Sequence, residues 1–350
     1  MTARRMAPEP PGPAPRPAAA ARPLWDTVVG QDQAIALLRR AVETDRVAHA
    51  YAFVGPAGVG RRLVALGFAQ ACLCPRTGCG VCGVCRRVAA GLHPDCQVVT
   101  PSPPRDNPRG APTLRIADVR EIEHWAALAP FEGSRKVFVL DEADRMTVPT
   151  AQALLKALEE PPPRTLLILV LANPRAVPPT VLSRCQRVRF RPLTTERAAE
   201  VLRARGAEPA AADLLARLCR GQVGLVAGVD VTSVRDQRAA ALGLLEVAPP
   251  LLVARLDELA PDRARAGACL ETYWLWYRDA LCLAAGGDPE LLVNRDREAE
   301  LAALAGRLPV AALAEAVRAI KEAWLALEGN VSPRLVLEQT FLALGATRAA

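Results

Sequence analysis

Tyr51-Ala52-Phe53-Val54-Gly55-Pro56-Ala57-Gly58-Val59-Gly60-Arg61-Arg62 is a short apolar run that breaks into a glycine loop and then enters a helical pattern, Arg62 to Leu73. Strand, glycine turn and helix in that order are the context of a phosphate-binding loop. Gly55, Gly58 and Gly60 let backbone amides turn inward on an anion, and the following helix adds the positive end of its dipole. A working loop of this kind continues with Lys for the β- and γ-phosphates and Ser or Thr for magnesium. Here Arg61 and Arg62 stand in those places. Arg61 keeps a positive charge in a larger, planar shape, and Arg62 has no lone pair to offer a metal. The expectation is a loop that keeps its shape and has lost hydrolysis, with ATP unbound or weakly bound. The plainer alternative is a strand–turn–helix kept for packing.

Downstream, Val137-Phe138-Val139-Leu140 ends on Asp141 and Glu142, and Leu166 to Leu171 is a second uninterrupted apolar run. Between them, Ala151 to Glu159 is helical and stops before Pro161-Pro162-Pro163, as proline demands. Upstream, Gln31 to Glu43 places Ala34, Leu37, Leu38 and Val42 at helical spacing. Continuous apolar strands alternating with helices predict an α/β domain with a mainly parallel sheet. Ligand sites of such sheets lie at the strands' C-terminal ends, where Asp141 and Glu142 fall. In an active ATPase the first acid would hold magnesium and the second would orient the attacking water. Beside Arg62 they read as remnants: solvated acids, or partners of Arg61 or Arg62.

Past Pro192 the strand patterns stop. Thr195 to Arg205, Ala210 to Arg220, Leu242 to Glu258, Cys269 to Leu283, Val310 to Leu327 and Arg334 to Leu344 read as amphipathic helices. The expected division is a disordered tail over 1–23, the sheet domain over 24–191, a small helical domain over 192–236 and a helical bundle over 237–350. Pro101 to Pro112 reads as an exposed, proline-rich insertion. No apolar stretch is long enough for a transmembrane helix, and the Pro/Ala/Arg-rich start lacks the apolar segment of a secretory signal, so the protein is expected in the cytoplasm, with no membrane partner. A net charge of +7 favours contact with a polyanion such as DNA.

Of ten cysteines, five lie between Cys72 and Cys85. Cys74, Cys79, Cys82 and Cys85, with Gly80 and Gly83 between them, have the spacing of a closed four-thiolate zinc site, a structural module over 72–96. Cys72 could replace Cys74 as the first ligand but is assigned to the core. His93 is the other alternate ligand. Cys96, Cys185, Cys219, Cys269 and Cys282 read as core residues.

Ser183-Arg184-Cys185, after Val177-Pro178-Pro179-Thr180-Val181-Leu182, resembles the motif of the AAA+ subunits of bacterial sliding-clamp loaders. Val28 to Gln31, His49-Ala50-Tyr51, the segment Asp144 to Pro163 and the cysteine cluster after the first loop helix resemble the same family, in order, over about residues 24–191. The resemblance implies an AAA+ P-loop-type sheet domain with an inserted zinc module, a helical lid over 192–236 and a C-terminal helical collar for oligomerisation over 237–350. It also implies that Arg184 acts in trans on the γ-phosphate of a neighbouring subunit's ATP. Gly60-Arg61-Arg62, the Leu171-Ala172-Asn173-Pro174 stretch and Leu225 in Gly221 to Leu225 depart from the pattern of an active subunit while Arg184 remains. That combination resembles the delta-prime type, and Trp276 to Asp279, Val293 to Asp296 and Ser332 to Leu335 resemble its collar.

The implied role is a non-hydrolysing member of a hetero-pentamer with gamma/tau and delta subunits. That assembly loads the sliding clamp onto primed DNA and is part of the DNA polymerase III holoenzyme, a nucleotidyltransferase as a complex. The alternative is an ATP-hydrolysing gamma/tau-type subunit with an atypical loop. A zinc-module DNA-binding protein on a borrowed scaffold ranks last, because no basic helix with interleaved aromatics lies near the cysteines.

Overall fold

The computed structural model describes residues 22–103, 107, 110–226, 228–245, 247, 255–256, 262–329 and 331–349. The expected tail over 1–23 therefore lies almost wholly outside the described residues. The chain divides into two compact units, one ending at Arg191 and the other starting at Pro192.

In the first unit, strands β1 (Ala50–Val54), β2 (Cys96–Val99), β3 (Lys136–Leu140), β4 (Thr165–Leu171) and β5 (Gln186–Arg189) form one sheet in the order β2-β3-β4-β1-β5. Every pairing is parallel. All seven residues of β4 are buried, which is why it reads as an unbroken apolar run. Alternation divides the central strands between two cores. Tyr51, Phe53, Val137, Val139, Ile168 and Val170 face one side with helices α1 (Asp32–Glu43) and α2 (Arg61–Leu73). Ala52, Phe138, Leu140, Leu167 and Leu169 face the other with α4 (Ile116–Ala127) and α5 (Val148–Glu159). Thr147 caps α5 by accepting the Thr150 N–H, and Pro149 sits in the first turn, where a missing N–H costs nothing. The short helices α3 (Gly83–Ala89) and α6 (Pro179–Leu182) complete the unit. With β4 between β1 and β3, the glycine loop and the acidic strand end lie one strand apart on the same edge of the sheet.

The second unit is helical among its described residues: α7 (Thr195–Ala204), α8 (Pro209–Leu218), α9 (Val231–Leu244), α10 (Arg263–Ala284), α11 (Glu298–Arg307), α12 (Val310–Glu328) and α13 (Pro333–Ala349). One cluster of buried residues gathers Ala198, Leu202, Leu215 and Cys219; a larger one gathers Leu242, Leu270, Tyr273, Tyr277, Leu304 and Ile320. α9 runs unbroken through position 236, so the boundary expected there falls inside a helix. α9 is not among the expected helices; it begins at Val231, where Asp230 caps it through the Thr232 and Ser233 amides, and of the helix expected over Leu242 to Glu258 it covers the first three residues. Most of 245–258 lies outside the described residues.

Candidate functional site

The glycine loop turns as its sequence requires. Gly58 and Gly60 adopt φ of 74° and 95°, a region open to glycine and strained for other residues. A Cβ at Gly55 would stand 2.4 Å from the Phe190 carbonyl oxygen, and one at Gly60 would stand 2.6 Å from Val28 Cγ1. The loop is therefore pressed between β5 and the segment before α1. Gln31 fixes that segment: its Nε2 donates to the Arg191 carbonyl at 2.7 Å and its Oε1 accepts the Arg191 N–H at 3.2 Å. The sequence marks Gln31 only as part of Val28–Gln31; its role as a clamp on the chain just after β5 depends on a contact 160 residues away.

Arg61 and Arg62 open α2 and diverge. The Arg62 Nη1 donates to Asp141 Oδ2 at 3.0 Å, while Asp141 Oδ1 accepts the Glu142 N–H at 3.1 Å. Both oxygens of the first acid are thus engaged within the protein, one by a guanidinium in the place where an active loop presents a hydroxyl to magnesium. Arg61 is 8 % exposed, and its Nη1 is buried with no hydrogen-bond partner. Burial lowers its pKa, with Asp144, Asp141 and Glu142 opposing in that order. A lysine has three donors on a point charge; a planar guanidinium has five in a fixed fork, and the loop does not satisfy them all. Glu142, in a left-handed conformation with φ 46°, pairs with Arg145 at 2.7 Å. Asp144 accepts the N–H groups of Ala172 and Asn173, both at 3.1 Å, and so ties the acidic strand end to the end of β4, a link the sequence did not show.

Arg184 lies in the turn between α6 and β5, apart from the loop residues. Its Nη1 donates to the Thr180 carbonyl at 2.8 Å and its Nη2 pairs with Glu159 at 2.7 Å. The side chain is 37 % exposed, and Glu159 is more open still. Leu225, in the second unit, is also exposed.

The four cysteines converge. Their sulfur atoms lie within 4.8 Å of one another, with Cys74 Sγ 3.8 Å from Cys79 Sγ and 3.6 Å from Cys82 Sγ. Two thiolates bound at about 2.3 Å to one tetrahedral zinc stand about 3.8 Å apart, so the donor set fits such an ion. The Arg76 N–H points at Cys74 Sγ and the Cys85 N–H at Cys82 Sγ, each at 3.4 Å, the amide-to-sulfur turns expected of the knuckle. Gly78 and Gly80 carry φ of 87° and 76°. Hydrogen bonds from the Val81 and Cys82 backbone lower the Cys79 pKa to about 6. At Cys74, burial pushes the thiol up, but the Cys79, Arg76 and Gly78 amides outweigh it and lower the pKa. Burial raises Cys85.

Cys72 stands outside the cluster, with burial pushing its thiol up to about 12, as its assignment to the core requires. His93 is buried and turned elsewhere: Nδ1 accepts the Asp95 N–H at 3.1 Å, and Nε2 lies 3.1 Å from Glu132 Oε1. Cys96, Cys185, Cys219 and Cys269 are buried and Cys282 is half-buried.

Residues 30–194 match the family described as DNA polymerase III, delta subunit, and residues 252–345 match its C-terminal family. The DNA polymerase III subunit delta' of Bacillus subtilis is 27 % identical over 324 residues, covering 90 % of this chain and 96 % of that protein. The subunit delta' of Pseudomonas aeruginosa is 39 % identical over 142 residues, covering 39 % of this chain and 42 % of that protein. The Escherichia coli subunit tau is 31 % identical over 247 residues, 68 % of this chain and 36 % of that protein. Among the described residues, no helix is long and apolar enough to cross a membrane.

Proposed function

Because the chain belongs to the delta-prime clamp-loader subunits of DNA polymerase III, we propose that it serves there without hydrolysing ATP and lends Arg184 to a neighbour that does. The observation that carries this reading is the Arg62–Asp141 pair at 3.0 Å. A tethered cation holds the carboxylate that a hydrated magnesium would need, and Arg62 can ligate no metal of its own. Mg·ATP would have to break this pair and also share the loop with the buried guanidinium of Arg61.

Arg184 supports the second half of the reading. Among the described residues its carboxylate partner is Glu159, and the pair is exposed on both sides. Exposed pairs are worth about 0–1 kcal/mol, so releasing the guanidinium toward a phosphate of an adjacent subunit costs little: it gives up this pair and the exposed Nη1 hydrogen bond to the Thr180 carbonyl. A guanidinium supplied in trans neutralises charge developing on the transferred phosphoryl group.

In this reading the chain works in a cytoplasmic hetero-pentamer with gamma/tau and delta subunits, which opens the sliding clamp and places it on primed DNA. The helices from Pro192 supply a lid, and the larger bundle after it supplies the collar that joins subunits. Cys74, Cys79, Cys82 and Cys85 would hold one structural zinc, which stabilises the turn between α2 and α3.

ATP turnover measured on the pure chain, and on the chain mixed with gamma/tau and delta subunits, tests the reading. The expected result is turnover in the mixture alone. Turnover by the pure chain that Asp141→Asn abolishes would replace this reading with that of an active gamma/tau-type subunit.

A further inference from the structure

β5 is an edge strand, paired to β1 alone among the described strands. Along Gln186–Arg191 the pattern alternates: Val188 and Phe190 are buried, while Arg187, Arg189 and Arg191 are exposed. Arg187 stands opposite Ala52 and Arg189 opposite Val54, so these side chains rise from one face of the sheet. The Phe190 N–H donates inward to the Val54 carbonyl at 2.8 Å; by the same alternation the peptide groups of Arg187 and Arg189 face outward. Those of Arg191 do so too and are held by Gln31.

A shallow groove at the start of the strand, lined by Leu37, Arg40, Thr44, Arg46 and Gln186, adds two more exposed arginines and no acid. Arg39, Arg62, Arg135 and Arg184 each pair with a carboxylate. Among the described residues, Arg40, Arg46, Arg187, Arg189 and Arg191 have no such ion pair. Five guanidinia without an ion pair therefore flank one open sheet edge, those of the strand from one face of the sheet and those of α1 and the turn after it from the other.

Arginines two residues apart in a strand are rooted about 6.6 Å apart, comparable with the separation of neighbouring phosphates along an extended nucleic-acid strand. We propose that this edge binds a single nucleic-acid strand through its phosphates. The large side chain on the groove is Leu37, and no aromatic ring lies there for bases to stack on, so the contact reads backbone and not sequence. The inference deepens the reading in which primed DNA is a partner, and rests on that reading for its setting. Its failure would leave the role of Arg184 untouched, because binding and ATP turnover are measured separately.

The test is binding of the full chain to a labelled oligothymidylate at several salt concentrations, for the wild type and for Arg187→Gln/Arg189→Gln/Arg191→Gln. All three sites are exposed, so folding is expected to persist, and unchanged thermal unfolding checks it. Each lost phosphate contact on a single strand lowers the log–log salt slope by about 0.7. The triple variant should therefore lose about 2 from the slope. Across a fourfold rise in salt, wild-type affinity should fall roughly 15- to 20-fold more than that of the variant. An unchanged slope, or no wild-type binding at low salt, overturns the proposal. So does equal competition by polyglutamate of matched charge, which would assign the edge to an acidic protein surface. Aggregation of the variant with DNA binding intact would leave the arginines only the role of keeping two sheet edges from pairing, and would also overturn it.

Discussion

Changing Arg61→Lys and Arg62→Thr together should reopen the glycine loop to nucleotide. The Arg62 side chain is 53 % exposed and Asp141 only 12 %, so the pair is screened on one side and is worth about 1 kcal/mol at most. Without nucleotide, Arg62→Thr alone should lower the melting temperature of the first unit by roughly 2–4 °C, the shift that such a loss gives in a domain of this size. Arg61→Lys offsets part of that, because it replaces a buried guanidinium with an unsatisfied Nη1 by a smaller group that the loop can surround. With both changes Asp141 is free to take a hydrated magnesium.

Ligand at 100 times its dissociation constant stabilises a protein by about 2.7 kcal/mol, or roughly 5–10 °C on the same scale. Thermal unfolding with and without Mg·ADP reads this directly: a rise of that size for the double variant, and none for the wild type, is the expected result. Equal stabilisation of the wild type would refute the idea that a tethered guanidinium blocks the metal position. No response in either protein would show that the block lies elsewhere in the loop.

Metal analysis of the purified chain should find about one zinc, and Cys79→Ser or prolonged chelation should remove it and destabilise the first unit; a metal-free yet equally stable wild type would refute the assignment. Asp95 offers a pH test. Burial pushes its pKa up, but the N–H groups of Phe131, Glu132 and Gly133, at 2.7, 2.9 and 2.8 Å, outweigh that and hold it below the ordinary carboxylate value. Its contribution is therefore fully present above the unfolded pKa and is lost as pH falls through the lower, folded one. Asp95→Ala should cost about 1–3 kcal/mol at neutral pH by leaving those donors unpaired, with the penalty shrinking in acid; a penalty unchanged down to strongly acidic pH would contradict the account.

The central strands were legible in the sequence because helices cover both faces: β4 is buried at every residue and reads as one apolar run. β5 was not, since an edge strand with a solvated face sets Arg187, Arg189 and Arg191 alternately with Val188 and Phe190 and breaks the run. β2 is only four residues long, with partly exposed positions after Cys96, too short to stand out. The cysteine cluster was legible because its geometry is local, set by glycines and short spacings.

Arg61 and Arg62 were legible as departures, but their separate fates were not. Which guanidinium meets Asp141 depends on α2 presenting successive residues on different sides: Arg62 hydrogen-bonds the acid at the end of β3, while Arg61 feels the same acids without a bond to them. Gln31 and Asp144 act across long stretches of chain and leave no periodic trace. Position 236 left no sequence mark of the helix that spans it: a helix starting at Val231 and capped by Asp230 carries the backbone across it.

The most direct measurement is the steady-state ATPase rate of the reconstituted loader carrying Arg184→Ala, beside the thermal stability of the variant chain. The guanidinium is half-exposed, and its partners among the described residues, Glu159 and the Thr180 carbonyl, form exposed contacts, so stability should hold within about 0.5 kcal/mol. Removing an arginine that acts in trans should slow the neighbour's turnover by orders of magnitude, since such groups supply roughly 10³- to 10⁵-fold. A loader that assembles normally and hydrolyses ATP at the wild-type rate would contradict the account.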